Sequence, residues 1–356
     1  MPKKLPISKR FQWQRLPKRP ASMQTGCLDG ELLLRKSAQF LSLVQEDLAE
    51  VEALLRTQAH GYHPDLQAAL NHLLQSGGKR VRPAVTMLIG HMLGAPHDRC
   101  ITLAASIEML HTATLVHDDL IDGSLLRRGS PTLNAQWSPG ATVLTGDFLF
   151  SIAARLAAET DSIEVMKVFA RTLTIIVNGE ISQLFTSRCQ ASRENYYQRI
   201  YAKTGSLFET SAYAAALISP VDGKISEAMK QYGYEIGIAF QLVDDVLDFT
   251  ADEATLGKPV GSDLRQGLVT LPAILYAESN PQDPAAADIL NGRCVQEEAE
   301  INRLVEAICK SDAITRAMAE ASNYVSRAME CLQTAPNSAS KAALEDLAQY
   351  IVARNL

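Results

Sequence analysis

The sequence predicts an all-α protein, on three observations. Apolar residues recur at intervals of three and four through most of the chain, leucine and alanine dominate those stretches, and strand-like alternation is nearly absent. With 356 residues and 47% hydrophobic content, the chain can bury a large core. Charged residues make up 21%, near the globular average, which argues against wholesale disorder. The net charge of −6 argues against non-specific nucleic-acid binding, which needs a basic face.

Taken in order, the chain starts with "MPKKLPISKRFQWQRLPKRP", which carries seven basic residues and no acid. It lacks the apolar core of a secretory signal, and its low serine content is a poor match to a transit peptide. Residues 1–29 are therefore expected to form a flexible basic tail, or to reflect a start placed upstream of Met23. A single helical domain is expected over 30–356. It opens with the amphipathic "ELLLRKSAQFLSLVQEDLAEVEALLRT". The stretches 99–121, 141–159, 162–186, 194–217, 224–250 and 296–332 read alike, and Gly/Pro clusters such as "QSGGKRVRP", "ISPVDG" and "LGKPVGSD" separate helical stretches. Beyond about residue 285 the helices continue without recognisable motifs. No apolar run approaches the length of a membrane-spanning helix. Cys27, Cys100, Cys189, Cys294, Cys309 and Cys331 lie far apart, which fits reduced thiols in a cytoplasmic protein rather than a disulfide framework or zinc site.

Chemistry concentrates in "LVHDDLIDGSLLRRGS", where Asp118, Asp119 and Asp122 sit among Leu115, Val116, Leu120 and Ile121. Like charges one helical turn apart repel, and a buried carboxylate is unfavourable unless compensated. The stretch "IAFQLVDDVLDFT" repeats the same spacing with Asp244, Asp245 and Asp248, 126 positions later (244 − 118). The first and third acids of each trio would lie about 6 Å apart along one helix face. Carboxylate oxygens are hard ligands that suit Mg²⁺ bridged to a phosphate. Surface acids are the plain alternative, but the flanking residues are those of buried helices. Counter-charges come from Lys79, Arg80 and Arg82 in "GGKRVRP", Arg127 and Arg128 in "RRGSPT", Lys203 in "KTGSLF" and Lys258 in "LGKPVGSD". Each alone reads as a solvated loop residue; together they suit two diphosphates. A P-loop is excluded, because "GGKR" lacks the earlier glycine and the following Ser/Thr. His117–Asp118 matches the HD pair of metal-dependent phosphohydrolases, a reading that leaves the second trio unexplained.

From "GGKRVRP" through "HTATLVHDDLIDGSLLRRGSPT", "GDFLF" and "KTGSLFE" to "FQLVDDVLDF", "LGKPVGSDL" and "TLP", the sequence resembles the trans-polyprenyl diphosphate synthases. The resemblance covers about residues 77–272. It implies an isoprenoid synthase type I fold: a bundle of long, mostly antiparallel helices around a deep cavity, usually as a homodimer. It also implies ionisation of an allylic diphosphate, attack on the cation by isopentenyl diphosphate, and loss of a proton. By the same resemblance, Asp118, Asp122 and Asp244 would bind Mg²⁺, three ions per site, with Asp119, Asp245 and Asp248 in support. Arg127, Lys203 and Lys258 would hold the allylic diphosphate, and Lys79, Arg82, His111 and Arg128 the isopentenyl diphosphate. Thr204 and Gln241 would turn oxygen dipoles toward the carbocation. One departure is Leu268 after Gly267, where many members carry a lysine.

Product length is read from the helix before Asp118. Positions five, eight and eleven before it are Ala113, Leu110 and Ile107, along one helical side. In the family a bulky aromatic at the fifth position acts as a floor, and the small Ala113 implies a product longer than geranylgeranyl diphosphate. A short-chain synthase and a subunit of a heteromeric synthase are the alternatives. The terpene cyclases share only the first cluster and lack the "GGKR" pocket. Product release by transient membrane contact is compatible with the absence of an expected transmembrane segment.

Overall fold

Helices account for nearly every element among the described residues, and several of them start at cap residues. The computed structural model describes residues 40–75, 78–185, 189, 192–251 and 259–354. The expected basic tail at 1–29, the next ten residues and Lys258 lie outside the described residues. In chain order the helices are α1 (Gln45–Thr57), α2 (Pro64–Gln75), α3 (Val81–Leu93), α4 (His97–Ile121), the single turn α5 (Leu133–Gln136), α6 (Pro139–Ala158) and α7 (Ile163–Phe185). Then follow α8 (Arg193–Ile200), α9 (Ser206–Leu217), α10 (Gly223–Thr250), the single turn α11 (Ser262–Arg265) and α12 (Leu271–Ser279). The chain ends with α13 (Pro284–Leu290), α14 (Glu298–Lys310), α15 (Ala313–Cys331) and α16 (Ala339–Ala353). Ser138, Ser192, Asp222 and Ser338 each accept a backbone N–H three residues on, opening α6, α8, α10 and α16. Pro139 follows Ser138 at the first helical position, where its missing N–H is harmless.

Helix α4 is the axis of the bundle. Leu103 to Leu110 are all buried, so it is enclosed on every side rather than amphipathic. Helix α6 runs back along it: Ser106 donates to the Ala153 carbonyl at 2.7 Å, and His117 meets the Val143 carbonyl at 3.1 Å. A similar antiparallel pairing joins α7 to α9 through the Thr172 and Thr210 hydroxyls, and α9 to α10 across Gly233 and Gly237. The C-terminal helices are part of this body, since α15 packs along α10 and α16 packs on α3 and α10.

Four expectations need correction. "LLRRGSPT" forms a minimal antiparallel hairpin, pairing Leu126 with Pro131 and Arg127 with Ser130, because Gly129 takes a positive φ of 76° that closes the turn. The expected 296–332 helix is broken at Ser311 and Asp312. Cys189 and Cys294 are disulfide-bonded, with Cα atoms 5.1 Å apart; a separation of 105 residues leaves no local signal of that pairing. Helices α4 and α6 are each long and apolar enough to cross a membrane by length and composition. For α4 the cause is burial all round; α6 leaves Val143 and Leu144 exposed.

Candidate active site

The last turn of α4 brings the first acidic trio to its end, and each member has a different setting. Asp119 is buried and gripped by Arg127, whose Nε donates to both carboxylate oxygens at 2.9 and 3.1 Å and whose Nη2 adds a contact at 2.8 Å. This fork on a carboxylate is the bidentate geometry only arginine offers. It also ties the hairpin to α4. Asp118 is half-buried, 3.7 Å from Lys203 Nζ, and burial pushes its carboxyl up to about 6, with Lys203 pulling the other way. Asp122 is exposed at the end of α4, its N–H bonded to the Asp118 carbonyl at 2.8 Å. Asp118 and Asp122 are thus the open oxygen donors. Asp119 holds the frame.

The second trio divides the same way. Asp245 is buried and accepts from Tyr196 Oη at 2.6 Å and Gln241 Nε2 at 2.8 Å. Burial, then the nearby Asp263, pushes it up to about 7. Asp248 accepts the backbone N–H of Asp263 at 3.1 Å. Asp244 stays open to solvent on one side and is bonded to Arg354 Nη2 at 2.6 Å. Burial raises its carboxyl above the usual range, and Arg354, Arg82 and Lys79 oppose that.

Between the trios lies a π-helical turn, Tyr201–Gly205, that carries Lys203 and Thr204. Such turns inside helices occur often at functional sites, because the extra residue re-aims side chains. Thr204 donates to Gln241 Oε1 at 2.7 Å, extending the chain Thr204–Gln241–Asp245–Tyr196. Lys203 bridges Asp118 and Glu180, the latter at 3.1 Å. Burial opposes its charge, yet these two acids outweigh that and its pKa is raised. The turn sits close on α10 because both surfaces are glycine: a Cβ at Gly237 would lie 2.8 Å from the Gly205 Cα.

Beside Asp119 opens a cavity of about 430 Å³ lined by Lys79, Arg80, Arg82, Arg127, Arg128 and Arg354, with His111 and the acids Glu108 and Asp119. Arg80 is neutralised by Glu52 at 3.2 Å and by Glu108. Arg82 stacks on the Phe208 ring at 4.7 Å and meets His111 at 3.3 Å. Its buried Nε has no hydrogen-bond partner, and the buried Nε of Arg354 shares that condition. Burial lowers the Arg82 pKa to about 10, so it stays charged. His111 is pushed well below its usual value, by burial and then by Arg82 and Arg128, and is a neutral imidazole. Arg80 and Arg128 take positive φ values of 47° and 52°, a conformation non-glycine residues adopt at a cost of about 1–3 kcal/mol each, commonly at binding sites. At Gly78 a Cβ would sit 2.9 Å from Arg128 Nη1. Cations crowded together with unpaired donors have the chemistry that suits an anion.

Three participants escape sequence reasoning. Tyr350 is on α16 and Arg354 is the residue that ends it: Lys79 donates to Tyr350 Oη at 3.0 Å, and Arg354 lies over the Phe240 ring at 4.1 Å. Their spacing of four on one helix face was the only available signal. Glu180 on α7 had none. The positions read as setting product length, Ile107, Leu110 and Ala113, are fully buried, and neither the basic cavity nor the apolar groove next described is lined by them. That groove, about 290 Å³, starts at Asp118 and Glu180 and runs between Thr114, Ile121, Val143, Phe150, Val177 and Ile181. His117 lines it and faces the Val143 carbonyl.

Open carboxylates, a cation-lined cavity and an apolar groove on one helical bundle define an enzyme class that handles lipid diphosphates. Residues 63–308, more than half of the chain, match the polyprenyl synthetase family model, and the chain belongs to that family of prenyltransferases. It is 36% identical over 311 residues to heptaprenyl diphosphate synthase component 2 of Bacillus subtilis, covering 87% of this chain and 88% of that one. It is 35% identical over 316 residues to octaprenyl diphosphate synthase of Haemophilus influenzae, covering 88% and 95%. A solved polyprenyl synthase of Caulobacter crescentus, complexed with calcium and isoprenyl diphosphate, superposes with a TM-score of 0.82 at 37% identity, covering 90% of this chain and 98% of that one.

Proposed function

We propose that the protein condenses isopentenyl diphosphate with an allylic diphosphate, repeatedly, to a long-chain all-trans polyprenyl diphosphate. The observation that carries this is the division within each aspartate trio: one acid is locked by Arg127 or Tyr196 while Asp118, Asp122 and Asp244 stay open beside a basic cavity. Those three half-buried or exposed hard-oxygen donors fit Mg²⁺, expected as three ions. Bound there, the metal would supply positive charge to a departing pyrophosphate.

The chain's own groups do the rest. Lys203 and Arg127 hold the allylic diphosphate, joined by Lys258. Arg82, Lys79, Arg128 and neutral His111 hold isopentenyl diphosphate in the cavity, where the unpaired Arg82 Nε awaits an oxygen. Lys203 next to the leaving group favours the charge that develops there as the allylic C–O bond breaks. Thr204 and Gln241 offer oxygens to the cation and exclude water that would quench it. The double bond of isopentenyl diphosphate attacks, and the proton it loses passes to the released pyrophosphate. Domain 30–356 would act as one unit in the cytoplasm, and the hydrocarbon would follow the apolar groove.

A second reading has its own support: the Bacillus relative is named as one component of a synthase. The test is purified protein, Mg²⁺, labelled isopentenyl diphosphate and a series of allylic primers, with products sized after dephosphorylation. A ladder ending in one long polyprenol supports the proposal. A C15 or C20 product leaves the chemistry and rejects the length; incorporation only with a partner chain favours the subunit reading. Ala113→Phe tests the floor reading: a shorter ladder with activity kept would support it, and unchanged length, the outcome expected if the hydrocarbon keeps to the groove that Ala113 does not line, would remove Ala113 from that role.

A further inference from the structure

At the opposite end of α4 from the aspartates, three side chains from three helices converge. Asp47 is in the first turn of α1, His91 in the last turn of α3, and His97 is the first residue of α4. His91 Nε2 lies 3.6 Å from Asp47 Oδ2, and His97 Nδ1 lies 3.7 Å from Asp47 Oδ1. One ligand atom from each of the three falls within 4.8 Å of the others. These separations exceed a hydrogen bond and approach those of a tetrahedral site, where ligands at about 2.0–2.1 Å from zinc stand about 3.3 Å apart.

Local structure explains the convergence. A Cβ at Gly90 would overlap the Cys100 sulfur, so glycine there lets the end of α3 close on the start of α4. Gly94, with φ of 77°, makes the tight turn between them. Asp47 is 8% exposed, and the ion-pair partners found for it are the two imidazoles, neither a lysine nor an arginine. His97 has a further feature of a ligand: its Nε2 is 3.1 Å from Glu50 Oε2. Donating that N–H to Glu50 leaves the Nδ1 lone pair facing Asp47. A carboxylate behind the far nitrogen is the usual support of a metal-bound histidine.

We propose that Asp47, His91 and His97 form a second cation site, of the zinc class, with Glu50 supporting His97 and a water completing the fourth position. Two imidazoles and a carboxylate select a borderline ion such as Zn²⁺ or Co²⁺ over Mg²⁺. His91 and His97 are a third to a half exposed, which gives the ion an entry path. The site lies roughly 30 Å along α4 from Asp118, 21 residues at 1.5 Å each. Its effect would be structural: it clamps α1 onto the α3–α4 corner and stabilises the fold by mass action.

The test uses metal-free full-length protein in saturating Mg²⁺, which occupies the aspartates, titrated with Co²⁺ and read by its visible absorption. The expected result is one Co²⁺ per chain with the intense band of tetrahedral coordination, displaced by Zn²⁺ and accompanied by a higher melting temperature. His91→Ala and His97→Ala should each lose the band while keeping prenyl transfer. Glu50→Gln should keep the stoichiometry and weaken affinity roughly 10- to 100-fold. Absence of the band in the parent, or its survival in either histidine variant, overturns the proposal.

Discussion

Arg354 shows what a single side chain contributes to this site. It is the last cation in the described chain, yet its Nη2 reaches both the Phe240 carbonyl at 2.8 Å and Asp244 at 2.6 Å. A hydrogen bond to a charged partner is worth about 1.5–3 kcal/mol, or roughly 10- to 100-fold in an equilibrium constant. Arg354→Gln should raise KM for the diphosphate substrates by about that factor, with Arg354→Lys recovering part of it. Steady-state kinetics with unchanged KM in the glutamine variant would reduce Arg354 to a prop for α16. Asp245 makes the complementary case, a carboxyl that folding prefers to keep protonated. Its pKa rises from 3.8 to about 7 and that of Asp118 to about 6, both first through burial. Between about pH 4 and pH 7 the folded state therefore binds more protons than the unfolded one, and stability falls as pH rises through that window. Metal-free protein should melt lower at pH 8 than at about pH 5, and Asp245→Asn should flatten much of the slope. Differential scanning calorimetry across pH decides it; an equal slope in the variant would place the effect elsewhere.

Among the elements, the π turn Tyr201–Gly205 links the two aspartate helices, one through Lys203 and Asp118, the other through Thr204 and Gln241. Its position depends on contact with α10 at Gly237, where a Cβ would meet the Gly205 Cα at 2.8 Å and the Phe208 Cβ at 2.9 Å. Gly237→Ala overpacks this junction, at an expected cost of about 1–3 kcal/mol. Because the strain falls on the turn, kcat should drop more than the loss of folded protein accounts for; a loss of stability with normal kcat would separate the turn from catalysis. Helix α10 was legible in the sequence through apolar periodicity and its acid spacing, and α4 through the matching acid spacing and its long apolar run, since burial all round removes the periodicity. The division of labour inside each trio was not. Asp118 and Asp119 are adjacent and chemically identical, and what distinguishes them is tertiary: the fork of Arg127 on one, Lys203 beside the other. Tyr350 and Glu180 likewise reach the site through tertiary packing of α16 and α7, which the spacing of Tyr350 to Arg354 hints at only weakly and nothing local marks for Glu180. The hairpin escaped notice because two-residue strands show no alternation, and Cys189–Cys294 because the pair spans 105 residues.

For the whole molecule, the question is what covers α6 and α7. Leu144 is 69% exposed and Phe185 87%, and Val143, Val177, Ile181 and Leu184 are each 40–49% exposed. Scattered apolar residues on a surface are ordinary, whereas a continuous set on two adjacent helices is what an association face would need. The same residues Val143, Val177, Ile181 and Leu184 wall the groove that begins at Asp118 and Glu180. A second chain laid on this face would bury it and roof the groove, turning an open trough into an enclosed path for a growing hydrocarbon. Association and product length then share one surface, whether the partner is another copy or a different subunit. Leu144→Glu combined with Ile181→Glu places two charges on the face, and the expected outcome is a shift to monomer in sedimentation velocity together with lower incorporation and shorter products. Leu290→Glu, 39% exposed on α13, is the control and should leave assembly and products as they were. A double variant that keeps both its assembly and its product ladder would show that the groove is closed from within the chain. The apolar face would then have to serve a contact unrelated to elongation.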